Sequence, residues 1–464
     1  MKTKIETRTE NLPADIQTPV GLYLKVRDIY PQSVLLESSD YHSSENSFSF
    51  IGVGPIAGFS VRDFRVTERY PSGSVQEYML DGERTLAESL NSFIRSFEIG
   101  DGKGKLNGFF GYTAYDAVRY FENISIATDD RITDDMVYIL YRFVIAVNHL
   151  HNDMTITENI PSGETSAMEE LIAIIDSRNF PLYDFHSEGE ATSSITDREY
   201  MDMVAEGVAR CQSGEIAQIV LSRRFEQSFT GDDFKVYRAL RSINPSPYLF
   251  YFDFGSYRIF GSSPETHLKI EGDIATIDPI AGTFRRTGDD EKDEELARKL
   301  LADPKENAEH VMLVELAIDD LKRSSTEVKV KNYKQVQFYS HVIHLVSRVT
   351  GRVAPDANRM SLFAGTFPAG TVSGAPKVRS LELIDALERQ PRGFYGGCIG
   401  CIGFDGGMNH AITIRSFLSA GNKLYFQAGA GVVAESKPES ELAEINNKLS
   451  ALNRAIALAN ELKN

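Results

Sequence analysis

Residues 408–432, MNHAITIRSFLSAGNKLYFQAGAGV, hold the most legible local architecture in the chain. Residues 408–418 and 423–428 read as two strands, and Ser419-Ala420-Gly421-Asn422 between them suits a tight hairpin turn. In the first strand Arg415 shares a face with Thr413 and Phe417, opposite Ile412 and Ile414. An arginine inside a strand is often an edge residue, but its forked guanidinium is also the best side chain for a carboxylate. The second strand runs into Ala428-Gly429-Ala430-Gly431, where a ligand can approach backbone N–H groups closely. Beyond it, residues 438–462 carry Leu442, Ile445, Leu449, Leu452, Ile456 and Ala459 in the 3–4 repeat of an amphipathic helix. Ser436 and Glu439 are spaced as a capping box at its start.

Glu441, Glu444 and Lys448 project from one face of that helix. A solvated salt-bridge face is the ordinary reading of such a triplet. Here it sits at the first turns of a helix, just after the glycine-rich segment, where backbone amides favour an anion. Carboxylates beside an anion call for a cation between them, and oxygen-only ligands indicate Mg²⁺. Residues 305–322 read as another helix, with Ala308, Val311, Met312, Leu316 and Ala317 at helical spacing; it offers Glu309, alone an ordinary surface glutamate, as a further carboxylate. His344 lies in an apolar strand and is either a hydrogen-bonded core residue or a catalyst. Cys398-Ile399-Gly400-Cys401 has the spacing of redox and zinc sites, but no second pair accompanies it. Its glycine-rich, apolar setting reads as a close-packed strand. A glutaminase nucleophile at Cys398 is rejected because no matching histidine segment follows.

The bulk numbers exclude several classes. With 464 residues, 42% hydrophobic and 25% charged, the chain is of globular composition, and no repeat or low-complexity tract is visible. A net charge of −17 disfavours nucleic acid and anionic membranes, while leaving room for a small anion held by local cations or a metal. The first residues lack the apolar core of a signal peptide, no stretch could span a bilayer, and there are three cysteines; together these predict a reducing cytoplasm. Tryptophan is absent, an economy that suits an enzyme needed when tryptophan is scarce. Strand-like runs at 33–36, 47–52 and 136–147 and a polar, aperiodic stretch at 184–193 (DFHSEGEATS) predict an N-terminal domain over 1–190, a linker, and a second domain over 191–464.

Taken in order, GEIAQIVLSR (214–223), GSSPE (261–265), PIAGT (279–283), AEHVML (308–313), SHVIHLV (340–346), PAGTVSGAPK (368–377), RGFYGG (392–397), ITIR (412–415) and QAGAGV (427–432) resemble the chorismate-utilising enzymes, and among them the anthranilate synthase branch. The N-terminal match is thinner: LLES (35–38) and FIGVGP (50–55). The resemblance implies an α+β fold, two large antiparallel β-sheets packed as a sandwich with surrounding helices, with the site in the 191–464 part. It implies that Glu309 and Glu444, with Glu441 nearby, hold Mg²⁺ against a substrate carboxylate. Gly282, Thr283, Thr371, Tyr395, Arg415, Lys448 and the amides of Gly429, Ala430 and Gly431 would contact chorismate. Glu265 would be the general acid at the C4 hydroxyl, His344 would serve the elimination, and Thr283 would stand among the catalytic groups.

In the resemblance, ammonia adds at C2, pyruvate leaves, and the ring becomes aromatic. Water-using relatives carry a lysine where this chain has Gln218, and aminodeoxychorismate synthases often carry one where it has Ala281. Both positions favour ammonia attacking C2, leaving aminodeoxychorismate synthase as the alternative and a non-catalytic tryptophan-binding regulator as a more distant one. LLES and NPSPYL (244–249) match a tryptophan feedback site, which would be lined by Glu37, Ser38, Pro247, Tyr248 and Leu249. Leu249 stands for the usual methionine, a swap that conserves volume. Two further departures, VELAIDDL (314–321) for V-D-L-A-R-N-D-L and Phe284-Arg285-Arg286 for Arg-Pro-Arg, remove no catalytic group. With no glutaminase module in the chain, a separate glutamine amidotransferase subunit is expected to supply ammonia.

Overall fold

Two long apolar strands, Phe48–Arg62 and Met136–Asn148, pair antiparallel from Phe48↔Asn148 to Val61↔Met136. Midway the register shifts between Pro55 and Ala57, next to Gly54 at φ +69°. Proline donates no ladder hydrogen bond and glycine accepts the left-handed turn, so the ribbon bends there. The computed structural model describes residues 2–38, 47–82, 84–100, 107–128, 131–338 and 342–463, and only the backbone of Thr283 and Lys305. Ser340 and His341 of the quoted SHVIHLV segment lie outside the described residues.

On either side of the bend the two strands acquire different neighbours, so they belong to two sheets at once. In the first sheet the order is Val34–Glu37, Tyr248–Asp253, Tyr257–Ser263, Ser416–Ala420, Lys423–Val432, Gln218–Gly231 and Phe185–Ser193. Asp153–Pro161, Thr3–Pro13 and the short parallel strand Phe97–Ile99 extend its other side. The second sheet runs Gly108–Thr113, Cys398–Gly403, Met408–Ile412, Thr266–Glu271, Ile274–Ile277 and Val342–Arg352, with Ile280–Arg285 and Thr326–Phe338 beside the last. One core lies between the sheets, drawing Val34, Leu36, Phe250, Phe252, Ile259 and Leu418 from the first and Phe110, Tyr112 and Ile399 from the second. The alternate residues Leu35, Leu249 and Tyr251 face the other way, into a core under the helices Asp197–Gln212, Phe234–Ile243 and Pro438–Glu461. The α+β sandwich is present, and its two layers are hydrogen-bonded to each other through the shared bent strands.

Three local expectations are corrected. The run 408–418 is two strands in different sheets, Met408–Ile412 and Ser416–Ala420, and the chain crosses between layers at Arg415, φ +52°. Arg415 therefore shares no strand face with Thr413 and Phe417. The expected linker at 184–193 contains the strand Phe185–Ser193, paired with Gln218–Gly231 through a bulge between Glu188 and Thr192. It is a polar edge strand, so hydrophobic alternation does not mark it. The capping box does not form: Lys437 is the N-cap, Pro438 opens the helix, and Ser436 Oγ accepts from the amide of Val433 at 3.1 Å. The hairpin is present, with Gly421 (φ +55°) and Asn422 (φ +60°) between Ala420 and its partner Lys423, a type I′ geometry. The helix expected at 305–322 spans Pro304–Lys322. Among the described residues no helix is long and apolar enough to cross a membrane.

Candidate active site

The chain changes sheet twice at one place. It passes from Tyr257–Ser263 to Thr266–Glu271 through Pro264 and Glu265, and from Met408–Ile412 to Ser416–Ala420 through Thr413–Arg415. The crossings are tied together: the Ile412 amide donates to the Glu265 carbonyl at 3.0 Å and the Ser262 amide to the Arg415 carbonyl at 3.1 Å. A carboxyl group and a guanidinium are thus held where both ladders end and backbone no longer fills the space.

Glu265 is buried, and burial pushes its carboxyl up to about 8, with the Glu309 charge adding to the rise and Thr371 and Lys448 opposing it. It is therefore protonated at neutral pH. Burial pulls the Arg415 guanidinium down, while Tyr395 and Glu444 oppose the shift, and its Nη1 donates to the Lys448 carbonyl at 3.1 Å. Lys448 reaches back from the C-terminal helix, its Nζ 2.8 Å from the Gly429 carbonyl and 2.6 Å from Glu444 Oε1. A Cβ on Gly429 would lie 3.1 Å from the Tyr395 hydroxyl; one on Gly431 would lie 2.4 Å from Gln218 Nε2 and 3.8 Å from Glu309 Oε1. The two glycines share the strand face that looks into the site, while Ala428 and Ala430 face the helical core, so Ala430 can serve only through its backbone. Burial pushes the Tyr395 phenol up to about 12, keeping it a hydrogen-bond donor.

His344 is buried opposite Thr283 in the Ile280–Arg285 pairing, and its Nδ1 lies 2.9 Å from the Gly282 carbonyl. That carbonyl can only accept, so Nδ1 carries the proton and Nε2 is the basic nitrogen; burial also lowers the ring's pKa, keeping it neutral. Gly282 sits at φ +68°, and a Cβ there would meet Leu300 at 2.7 Å and Glu306 Oε2 at 3.1 Å. Thr371 and Glu265 both line a cavity of about 30 Å³, room for a water molecule. Glu309 and Glu444 come from two helices on either side of the glycine strand, both half-buried, whereas Glu441 is almost fully buried and its charge acts on Tyr200. Among the described residues no three His, Cys, Asp or Glu side chains are grouped tightly enough to cage an ion. The donor set fits a cation that takes one or two carboxylates and fills its shell with water and substrate oxygens, as Mg²⁺ does.

The feedback-segment residues also gather. Glu37 and Leu249 are cross-strand partners, and the buried Glu37 carboxylate accepts from the Tyr237 hydroxyl at 2.5 Å and from Arg241 Nε at 2.9 Å. Ser38 follows Glu37 at its strand end, and Pro247 precedes Tyr248. The Tyr248 hydroxyl lies 2.8 Å from that of Thr266, the residue after Glu265. Cys398 and Cys401 point into different cores, and burial pushes the Cys401 thiol up to about 12, so the pair forms no joint site. A larger cleft of about 440 Å³, at the far ends of the same strands around Arg27, Asp232, Asp253 and Arg258, contains none of the candidate residues.

Sequence reasoning missed the supports. Arg392 is buried on Glu388 (Nε to Oε2, 2.7 Å), and Glu388 Oε1 also accepts from the Ser222 amide at 2.7 Å, so one ion pair ties the Tyr395 loop to the neighbouring strand. An arginine three residues before the candidate tyrosine was the available signal. Glu306, one helical turn before Glu309, also reaches the Gly282 turn and could have been found from that spacing.

The model of the chorismate binding enzyme family matches residues 34–454. Anthranilate synthase component 1 of Thermus thermophilus is 37% identical over 96% of this chain and 96% of its own length. That of Aquifex aeolicus is 34% identical over 97% and 94%. The crystal structure of anthranilate synthase component I from Streptococcus pneumoniae superposes with a TM-score of 0.78 at 30% identity, covering 96% of this chain and 99% of that one. The menaquinone-specific isochorismate synthase of Escherichia coli shares the fold at a TM-score of 0.75 and 20% identity, covering 98% of this chain and 95% of that one. A family match that runs through both sheets and includes both crossings, with full-length relatives of one name, places the chain in the chorismate-binding enzyme family, alongside the anthranilate synthase component 1 proteins.

Proposed function

We propose that this chain is an anthranilate synthase large subunit, converting chorismate and ammonia to anthranilate, pyruvate and water, with Mg²⁺ as cofactor. The observation that carries the reading is the buried, protonated Glu265 under the charge of Lys448, with Arg415 bonded to the Lys448 backbone: an acid near cations fitted to an anionic substrate. Arg415 and Lys448 hold the carboxylates, and the bare backbone at Gly429 and Gly431 lets the substrate lie close. Glu265 gives its proton to the C4 oxygen, so that hydroxyl departs as water while ammonia forms the C2–N bond. His344, with its basic Nε2, takes the C2 proton as the C3–O bond breaks and pyruvate leaves in its enol form. Glu309 and Glu444, with Glu441 behind them, would hold Mg²⁺. When bound, the ion would anchor a ring carboxylate and offset its charge.

The reading extends to a glutamine amidotransferase partner as the ammonia source, and to tryptophan as an inhibitor at Glu37, Ser38, Pro247, Tyr248 and Leu249. Incubating the pure chain with chorismate, ammonium and Mg²⁺ tests the core claim. Fluorescent anthranilate with one equivalent of pyruvate is the expected result. A non-aromatic aminated product without pyruvate would instead make it an aminodeoxychorismate synthase. Tryptophan binding without turnover would make it a regulator.

A further inference from the structure

The first 190 residues supply no member of the proposed catalytic set, yet they reach the site at one point. The 3₁₀ helix Tyr115–Tyr120 is packed under the loop that carries Tyr395. The Gly393 amide donates to Asp116 Oδ2 at 2.9 Å, and the Gly393 carbonyl accepts from the Tyr115 amide at 2.8 Å. Gly393, at φ +58°, is thus gripped on both polar groups by two consecutive residues 277 positions away in sequence. Above it the Arg392 guanidinium lies 4.5 Å from the Tyr115 ring and 5.8 Å from that of Tyr395. Gly396 approaches the Tyr115 ring so closely that a Cβ would stand 3.2 Å from Cδ2. The loop's other end is fixed by the Gly396 amide on the Thr413 carbonyl at 3.0 Å, two residues from Arg415.

We propose that Asp116 is a positioning residue for the active site, setting the Arg392–Gly397 loop and, through it, the place of Tyr395 against Gly429. The inference rests on Tyr395 being a substrate contact, as read above.

Asp116 is fully buried, and its Oδ1 has no hydrogen-bond partner among the described residues, so the Gly393 amide is the bond that anchors it. Burial pushes its carboxyl up to about 6 despite the surrounding Arg119, Arg131 and Arg392. A carboxyl group kept under such strain for one loop amide is a poor stabilising device. It suits a group retained for placement, because small displacements of a substrate contact are costly.

The test is a double-mutant cycle on the full chain, with KM for chorismate and kcat measured on protein shown to be folded by circular dichroism. Asp116→Ala removes the acceptor and is expected to raise KM about tenfold or more, with a smaller change in kcat. Asp116→Asn keeps a carbonyl acceptor and should stay within about threefold of native. Combined with Tyr395→Phe, Asp116→Ala should add little to the single Tyr395→Phe defect. If Asp116→Ala does not fold, Gly393→Ala takes its place: its Cβ meets no atom, so its only effect is strain on the φ +58° turn that Asp116 holds. A native KM in the folded Asp116→Ala or Gly393→Ala chain overturns the proposal. So does a penalty that adds in full to that of Tyr395→Phe. A native KM in Tyr395→Phe alone is a different pattern: it removes the substrate-contact reading itself, and this inference with it.

Discussion

At the scale of single residues, Glu265 makes the most exposed claim. Its carboxyl is raised from 4.5 to about 8, so at neutral pH the folded chain holds a proton that the unfolded chain has released. The stability this group contributes is present in full below pH 4.5 and is lost as pH rises through about 8. Glu265→Gln removes the linkage. It should stabilise the metal-free chain at pH 7 by about 3 kcal/mol, read as a higher urea midpoint, with the gain shrinking toward pH 4.5. The same substitution should cost about 10²–10⁴ in kcat. In the native enzyme supplied by a glutaminase partner and glutamine, kcat/KM should fall above about pH 8 as the acid ionises. A variant that keeps its rate, or is no more stable than native at pH 7, defeats the assignment. The residue types at the site were legible because carboxylates, one arginine and paired glycines occur in a fixed order along the chain. The protonation state was not, because it follows from burial, which no local spacing encodes. Asp116 carried no signal at all, since its partner lies 277 residues away.

At the scale of elements, the same glycine-to-alanine change should have opposite meanings in two strands. A Cβ on Gly111 would stand 1.8 Å from the backbone carbonyl of Val137, in a ladder that joins the long shared strand to the second sheet. Neither backbone can yield without breaking the pairing, so Gly111→Ala should cost more than about 3 kcal/mol or abolish soluble expression. On Gly431 the nearest atom is Gln218 Nε2 at 2.4 Å, the free end of a flexible side chain. Gly431→Ala should therefore fold with a near-native melting temperature and lose chorismate affinity about tenfold or more, because the methyl occupies the floor of the site. Calorimetric melting and KM separate the two; a Gly431→Ala chain with native KM would show that the glycine face is not the floor. Periodicity found the helices and the hairpin because each has one apolar face. It missed Phe185–Ser193, a polar edge, and it ran through Arg415, because a chain that changes sheet keeps its alternation while changing partners.

At the scale of the molecule, the two sheets meet where Glu265 and Arg415 lie, and the feedback-segment strand touches that junction through Tyr248 and Thr266. Tryptophan bound beside Leu249 would press on the strand pair leading to Glu265, so it should inhibit; unchanged turnover in millimolar tryptophan would refute that. The ammonia source gives a sharper test, because two protonation equilibria oppose each other. With ammonium alone, the nucleophile is the scarce free base, and its supply grows as pH rises. The acid that releases the C4 oxygen is lost as pH passes about 8. Because ammonium's own pKa lies above that of Glu265, ammonium-driven kcat/KM should rise to about pH 8, hold level while the two effects cancel, and fall only once the supply of free ammonia stops growing. Adding a glutaminase partner and glutamine delivers ammonia already deprotonated. The acid limb should then flatten, and the fall should begin at about pH 8, where Glu265 ionises. Glutamine without the partner should give no anthranilate, since the Cys398 thiol is buried in a strand and burial pushes its pKa up, away from the reactive thiolate. Were the glutamine-driven profile to stay level well above pH 8, the assignment of Glu265 would have to be abandoned, whereas glutamine used by the lone chain would remove the need for a separate ammonia-supplying subunit.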